Sequence, residues 1–201
     1  MLLPPGPVRE VGPLRFLVVR SGEVLDLCME LADKILGSGF SPETMVAIHR
    51  GGMIVARYLS DLLDIRDIRA VRVEHYVGTD REELARVVEP VPTRLDGRRV
   101  LVVDDVADTG ESLAVAREHV VEMGAGDVRT AVLHYKPWSK IRPDFYVVET
   151  DAWVVYCWEY AETARHLFFK LTSEGLSREE ALRIIVEEAG VPEKVVRWVG
   201  L

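Results

Sequence analysis

Val100-Leu-Val-Val-Asp104-Asp105-Val-Ala-Asp108-Thr109-Gly110-Glu111-Ser112-Leu113 is the stretch on which the reading of the chain turns. Its four leading apolar residues predict a strand buried on both faces, as in a parallel sheet. Two adjacent carboxylates follow, then two small apolar residues, a third carboxylate, and Thr-Gly-Glu-Ser opening a helix. Local propensity does not account for that order, because a helix cap needs one acid and here there are three. Adjacent carboxylates at a strand's carboxyl end repel each other. A partner should offset them, most simply a sugar's hydroxyls or a divalent cation. The Thr-Gly-Glu-Ser turn supplies backbone N–H groups, hydroxyls and a helix N-terminus, which suit a phosphate. Carboxylates beside a phosphate cradle point to a phosphorylated sugar.

Working outward, the flanking segments follow a strand–turn–helix plan. Leu14–Val19 reads as a strand, and Ser21 can cap a helix whose apolar positions Val24, Leu27, Cys28, Leu31 and Ile35 keep helical spacing. Thr44–Ile48 is a buried strand, followed by His49-Arg50-Gly51-Gly52 and an apolar helix from Met53 to Leu63. Arg-Gly-Gly offers a guanidinium and two positions where backbone can approach an anion closely, although the glycines would equally serve a tight turn. Ile68–Tyr76 and Val128–His134 are further strands, and Glu111–Met123 is a helix ended by Gly124. Val77–Leu95 is polar, charged and proline-containing, and a loop that long is usually a functional lid or disorder. The alternation predicts an α/β fold with a doubly wound, mostly parallel sheet and ligands at the strands' carboxyl ends.

Composition narrows the classes. The chain has 201 residues, 48% hydrophobic and 29% charged, which fits one ordinary domain with a small appendage. It has no run of about 18 apolar residues and no basic-then-apolar leader, so neither a membrane span nor a signal peptide is expected. Cys28 and Cys157 lack metal-ligand spacing and sit in apolar runs, so buried free thiols and a reducing, cytoplasmic setting are expected. A net charge of −8 argues against nucleic-acid binding through a basic face, yet allows a small anion where arginines converge. There is no Asn and no Gln, and Arg outnumbers Lys 20 to 5. Depletion of thermolabile amides suggests a thermophilic source, with a GC-rich genome as the other explanation of the arginines.

The central stretch resembles the 5-phosphoribosyl-1-pyrophosphate (PRPP) signature of type I phosphoribosyltransferases: strand, two acids, two small residues, Asp or Ala, Thr, Gly, then a hydroxyl residue. Arg50-Gly51-Gly52 resembles the pyrophosphate loop of the purine enzymes, where a strained or cis peptide is common. Val77–Leu95 falls where the family's flexible loop closes over PRPP, with His75-Tyr76 in place of the usual Ser-Tyr pair. Tyr135-Lys136-Pro137, Pro143-Asp144-Phe145 and Trp153 resemble the base-binding hood of the 6-oxopurine (xanthine-guanine and hypoxanthine-guanine) branch.

The resemblance implies a role for each residue. Asp104 and Asp105 hold the ribose hydroxyls, directly or through Mg²⁺, and Asp108-Thr109-Gly110-Glu111-Ser112 hold the 5-phosphate. Arg50 and Gly51 take the pyrophosphate. Lys136 takes the purine 6-oxygen, Trp153 stacks on the ring, and the Val154 carbonyl reads purine position 2. Glu159 lies where an acid approaches the metal and pyrophosphate. Asp108 is the general base at purine N7. Adenine-specific relatives usually have Ala there and Glu at the first acid, so Asp104 with Asp108 favours a 6-oxopurine. The implied partners are PRPP and a purine base, with a purine nucleoside monophosphate and pyrophosphate as products, and a homodimer is common among relatives.

By this reading residues 1–160 are the phosphoribosyltransferase domain, with a hood at about 135–160, and 161–201 are a helical extension outside the resemblance. In that extension Ser177-Arg-Glu-Glu180 is a capping box, and Pro192 suits the first turn of a last helix. Two helices joined at Gly190 could mimic a DNA-binding pair, but packing or dimer contact is favoured. Two rival readings stand beside the enzyme. One is a regulatory protein of this fold that senses PRPP or a nucleotide and binds nucleic acid. The other is a transferase for adenine, orotate or uracil.

Overall fold

The computed structural model describes residues 8–11, 14–77 and 83–201. In chain order its strands are β1 (Val8–Val11), β2 (Leu14–Val19), β3 (Thr44–His49), β4 (Ile68–Val77), β5 (Glu83–Glu89), β6 (Arg99–Val103), β7 (Val106–Ala107), β8 (Asp127–Tyr135), β9 (Phe145–Glu149) and β10 (Trp153–Tyr156). The helices are α1 (Ser21–Gly37), α2 (Gly51–Leu62), α3 (Glu111–Glu122), α4 (Tyr160–Ser173), α5 (Arg178–Arg183, continued by a π-helical turn over Ile184–Glu188) and α6 (Glu193–Trp198). The chain forms two compact units, one of Leu25–Thr150 and one of the segments up to Val24 and from Asp151 to Leu201.

The larger unit is built on a sheet in the order β5-β4-β3-β6-β8-β7, with β9 also pairing β8. Every pair in it is parallel except β4–β5. Val100, Leu101, Val102 and Val103 of β6 are all fully buried, the two-sided burial that their uninterrupted apolar run predicts. On one face Val46, Val71, Val100, Val102 and Val132 pack with Leu113, Ala116 and Val120 of α3. The helix α2 turns Gly52, Val55, Ala56 and Leu59 inward and leaves Met53, Ile54 and Tyr58 exposed. Side chains of this kind contribute roughly 1.5–3 kcal/mol each when fully buried, so the sheet centre is where the unit's stability concentrates. A parallel sheet so anchored sets the turns after β3 and β6 at the same edge.

Two expectations need correction. The segment 77–95 is not one long loop. Glu83–Glu89 forms β5, antiparallel to β4, and Val91 and Leu95 beyond it are buried. The prolines and charges concealed the short alternation Leu84-Ala-Arg-Val, which is enough for an edge strand when a partner edge is available. Residues 78–82, at the start of the expected lid, lie outside the described residues. Ser21 is the first residue of α1 rather than its cap, and the Glu23 carboxylate takes the Arg20 N–H at 2.6 Å. Asp144, just before β9, accepts from both the backbone N–H and the hydroxyl of Thr130 in β8 at 2.8 Å.

The smaller unit has the sheet order β1-β2-β10, with β10 parallel to β2. Phe16 and Val155 pack with Ala164, Leu167 and Leu171 of α4, Ala181 of α5, Ile185, and Val196 of α6. β10 packs with the C-terminal helices, so one compact unit holds both. The capping box is complete: the Ser177 hydroxyl accepts from the Glu180 N–H, and Glu180 reaches back to the Ser177 N–H. Ser177→Ala should cost about 1 kcal/mol of stability, read as a lower denaturation midpoint by urea titration. Cys28 is buried and its thiol is pushed up to about 12 by desolvation; Cys157 is half-buried, and both are free. Among the described residues no helix is long and apolar enough to cross a membrane.

Candidate active site

The carboxyl ends of β3 and β6 place Arg50-Gly51-Gly52 against Asp104-Asp105. The His49–Arg50 peptide is cis, and α2 begins at Gly51. A side chain on Gly51 would put its Cβ 1.8 Å from Asp105 Oδ2, and one on Gly52 would put it 2.3 Å from the Val103 carbonyl oxygen. Both glycines are thus required by close approach, and the Gly51 backbone and the Asp105 carboxylate form one contiguous surface. After β6 the chain makes the short strand β7, then Asp108-Thr109-Gly110 and α3. Gly110 has φ +79° and would drive a Cβ to 2.3 Å from Ser139 Oγ, so glycine is required there too. Asp104, Asp108, Thr109, Gly110 and Ser112, with His75 and Leu113, line a cavity of about 370 Å³.

The charges at the two sheet ends behave oppositely. At the amino ends, Asp67 accepts from Arg69, Thr44 and Arg98, and these partners hold its carboxyl below the usual range despite partial burial. At the carboxyl ends, burial and then the Asp105 charge push Asp104 well above it. The Asp104 carboxyl accepts from the Asp105 N–H at 3.0 Å and Asp105 accepts from the Val106 N–H at 2.8 Å, bonds that fix direction without supplying positive charge. At the carboxyl ends the raised Asp104 carboxyl lines the cavity beside Asp105, a crowding of acids typical of functional sites. Among the described residues there is no group of three or more His, Cys, Asp and Glu placed to hold a metal by themselves. Two carboxylates are nonetheless a fitting donor set for Mg²⁺, which commonly takes one or two carboxylates and completes its shell with water and substrate phosphates.

The segment after β8 is laced onto the turn that leads into α3. The Lys136 N–H donates to the Ala107 carbonyl at 3.0 Å and the Lys140 N–H to the Thr109 carbonyl at 2.8 Å. Between them the Trp138 indole N–H donates to Asp108 Oδ1 at 2.9 Å, and the Lys140 ammonium pairs with Glu111. Across the cavity His75 Nε2 lies 2.8 Å from Ser112 Oγ. Lys136 is buried, and its neighbour His134 is kept neutral by desolvation and the Lys136 charge, its pKa pushed down to about 3.

The phosphoribosyl transferase domain family model matches residues 18–165. The chain belongs to the phosphoribosyl transferase family. A xanthine-guanine phosphoribosyltransferase of Gluconobacter oxydans is 35% identical over 120 residues, 58% of this chain and 68% of the relative. A purine phosphoribosyltransferase from Pyrococcus horikoshii has a similar structure, with TM-score 0.64 and 34% identity over 71% of this chain and 93% of that one. A Neisseria gonorrhoeae protein with bound ppGpp has TM-score 0.65 and 28% identity, covering 87% of this chain and 97% of that one.

In the larger unit Arg50, Gly51, Asp104, Asp105 and the Asp108–Ser112 turn lie at the carboxyl ends of the sheet, and the sequence reading gave no site role to three neighbours of that turn, Trp138, Lys140 and His75. Trp138 could have been noticed, since a Trp between Pro137 and Ser139 at a strand's carboxyl end sits in a turn rather than a core; it is 55% exposed. Trp153, Val154 and Glu159 lie in the smaller unit. The Trp153 ring meets His166 edge-on at 5.2 Å, tilts on Phe16 at 6.3 Å, and lies under the Lys170 ammonium at 5.7 Å. Val154 is buried opposite Leu17, and Glu159 is the cap residue of α4, its Oε1 accepting from the Tyr156 N–H at 3.3 Å. Nothing in the sequence marked His166 or Lys170 as neighbours of Trp153.

Proposed function

We propose that this phosphoribosyl transferase acts in purine salvage, moving the 5-phosphoribosyl group of PRPP onto N9 of guanine, xanthine or hypoxanthine. The observation that carries it is the surface in which Asp104 and Asp105 meet Gly51 on one side and the Asp108–Ser112 loop on the other. The ribose C1–oxygen bond to pyrophosphate breaks, the C1–N9 bond forms, and the developing cation at C1 faces the acids. Asp108 takes the proton leaving purine N7. Thr109, Gly110, Glu111 and Ser112 hold the 5-phosphate at the amino end of α3. Glu111 is an unusual companion for a phosphate, and its pairing with Lys140 offsets its charge. Arg50 and the Gly51 backbone receive pyrophosphate. Mg²⁺, held by Asp104 and Asp105 directly or through water, would neutralise the leaving group. A homodimer and a cytoplasmic location complete the proposal.

Lys136 supports a 6-oxopurine because a buried ammonium is a donor that adenine's 6-amino group cannot accept. Lys136→Ala should raise the KM for guanine by ten-fold or more, from the loss of a bond to a charged donor, and leave the KM for PRPP within about two-fold. Equal losses for both substrates would take Lys136 out of base recognition.

A second reading is favoured by the likeness to the ppGpp-bound Neisseria protein. A guanine nucleotide with two pyrophosphates would use the same donors as PRPP and guanine together. Guanosine tetraphosphate should therefore compete with PRPP. A gel-shift with RNA and DNA at physiological salt, run beside the transfer assay, separates an enzyme from a nucleic-acid-binding sensor.

A further inference from the structure

Purine N7 and the 6-oxygen lie on one edge of the base, so the two groups assigned to them, Asp108 and Lys136, must be held at a fixed spacing. Trp138 touches both. Its indole N–H donates to Asp108 Oδ1 at 2.9 Å, and its ring lies 5.4 Å from the Lys136 ammonium, within range of a cation–π contact. The backbone on either side is pinned to the phosphate-loop segment by the Lys136–Ala107 and Lys140–Thr109 hydrogen bonds, so the indole cannot drift without breaking that ladder. The ring itself is 55% exposed and contributes little to a core. An indole is a donor only, and its single N–H is spent on the one exposed acid of the signature. That bond turns one carboxylate oxygen and leaves the other for the purine.

We propose that Trp138 is a positioning residue for transfer: it orients Asp108 through its indole N–H and steadies Lys136 with its ring face, setting the spacing at which one purine edge is read. The inference rests on the purine-transfer reading above and adds a specificity device to it.

The test is steady-state kinetics with PRPP, Mg²⁺ and guanine on Trp138→Phe, Trp138→Ala, Asp108→Ala and the Trp138→Phe/Asp108→Ala double variant. Trp138→Phe keeps a ring and removes the donor. It should lower kcat about ten-fold, as loss of a hydrogen bond to a charged group predicts, with the PRPP KM unchanged. In the Asp108→Ala background the same change should alter kcat less than about two-fold, because the indole then has no carboxylate to orient. Trp138→Ala should add a several-fold rise in guanine KM. Melting temperatures should stay near wild type, since the ring is exposed. If Trp138→Phe leaves kcat unaltered, or costs as much without Asp108 as with it, the proposal fails while the transfer reading stands. A wild-type protein that makes no nucleotide from guanine, xanthine or hypoxanthine overturns both.

Discussion

Asp108→Ala should lower turnover with guanine or xanthine by roughly 10²–10⁴-fold, the usual contribution of a placed general base. The loss should fall on kcat. PRPP affinity should change little, because the phosphate loop keeps the Thr109 and Ser112 hydroxyls, Gly110, and the amino end of α3. The structural reason is location: Asp108 is exposed at the cavity lip and not part of the packed sheet, so its removal takes away a proton acceptor without creating a cavity. Isothermal titration with PRPP alongside stopped-time nucleotide assays separates the two effects. A variant with wild-type turnover would remove Asp108 from the chemistry, and one that no longer binds PRPP would make it a phosphate ligand instead.

Gly51→Ala should be strongly damaging to activity. Its Cβ would fall 1.8 Å from Asp105 Oδ2 and 2.3 Å from the carboxyl carbon. The carboxylate has little freedom to move, being 8% exposed with Oδ1 already accepting from the Val106 N–H. Either Asp105 turns off the site or the Arg50-Gly51 turn backs away. Both separate Asp105 from the Arg50-Gly51 turn, and a misplacement near 1 Å can cost about 10²-fold in rate. The expected result is at least that loss in kcat/KM for PRPP, with a modest fall in stability from overpacking of about 1–3 kcal/mol. Gly22→Ala in α1 is the control, since a Cβ there meets nothing within 4 Å and alanine favours a helix. A Gly51→Ala protein with normal PRPP kinetics would show that the two segments do not act as one surface.

Much of this was legible in the residues. The strand β6 could be read because both its faces are buried, so nothing polar interrupts Val100–Val103 before Asp104. The Asp108–Ser112 turn stands out in the sequence because three acids, a glycine and hydroxyls in that order satisfy no local structural need. The strand β5 was hidden, since an edge strand tolerates the charges and prolines that also mark loops. The strand β7 has only two residues, Val106–Ala107, too few to show any period, and it exists only because β8 offers an edge. Trp138 and Lys140 reach Asp108 and Glu111 from about thirty residues away in sequence. No pattern within either segment announces such a contact. The placement of Trp153 against His166 and Lys170 likewise depends on how α4 folds over β10, which the sequence divided between a hood and an extension.

The most direct test of the account is a panel of bases (guanine, xanthine, hypoxanthine, adenine, orotate and uracil) incubated with the wild-type protein, PRPP and Mg²⁺, with nucleotide and pyrophosphate both measured. The account predicts equimolar nucleoside monophosphate and pyrophosphate from at least one 6-oxopurine, and far slower reaction with adenine and the pyrimidines. Nucleotide formed chiefly from adenine, orotate or uracil, or PRPP bound without transfer to any base, would contradict it.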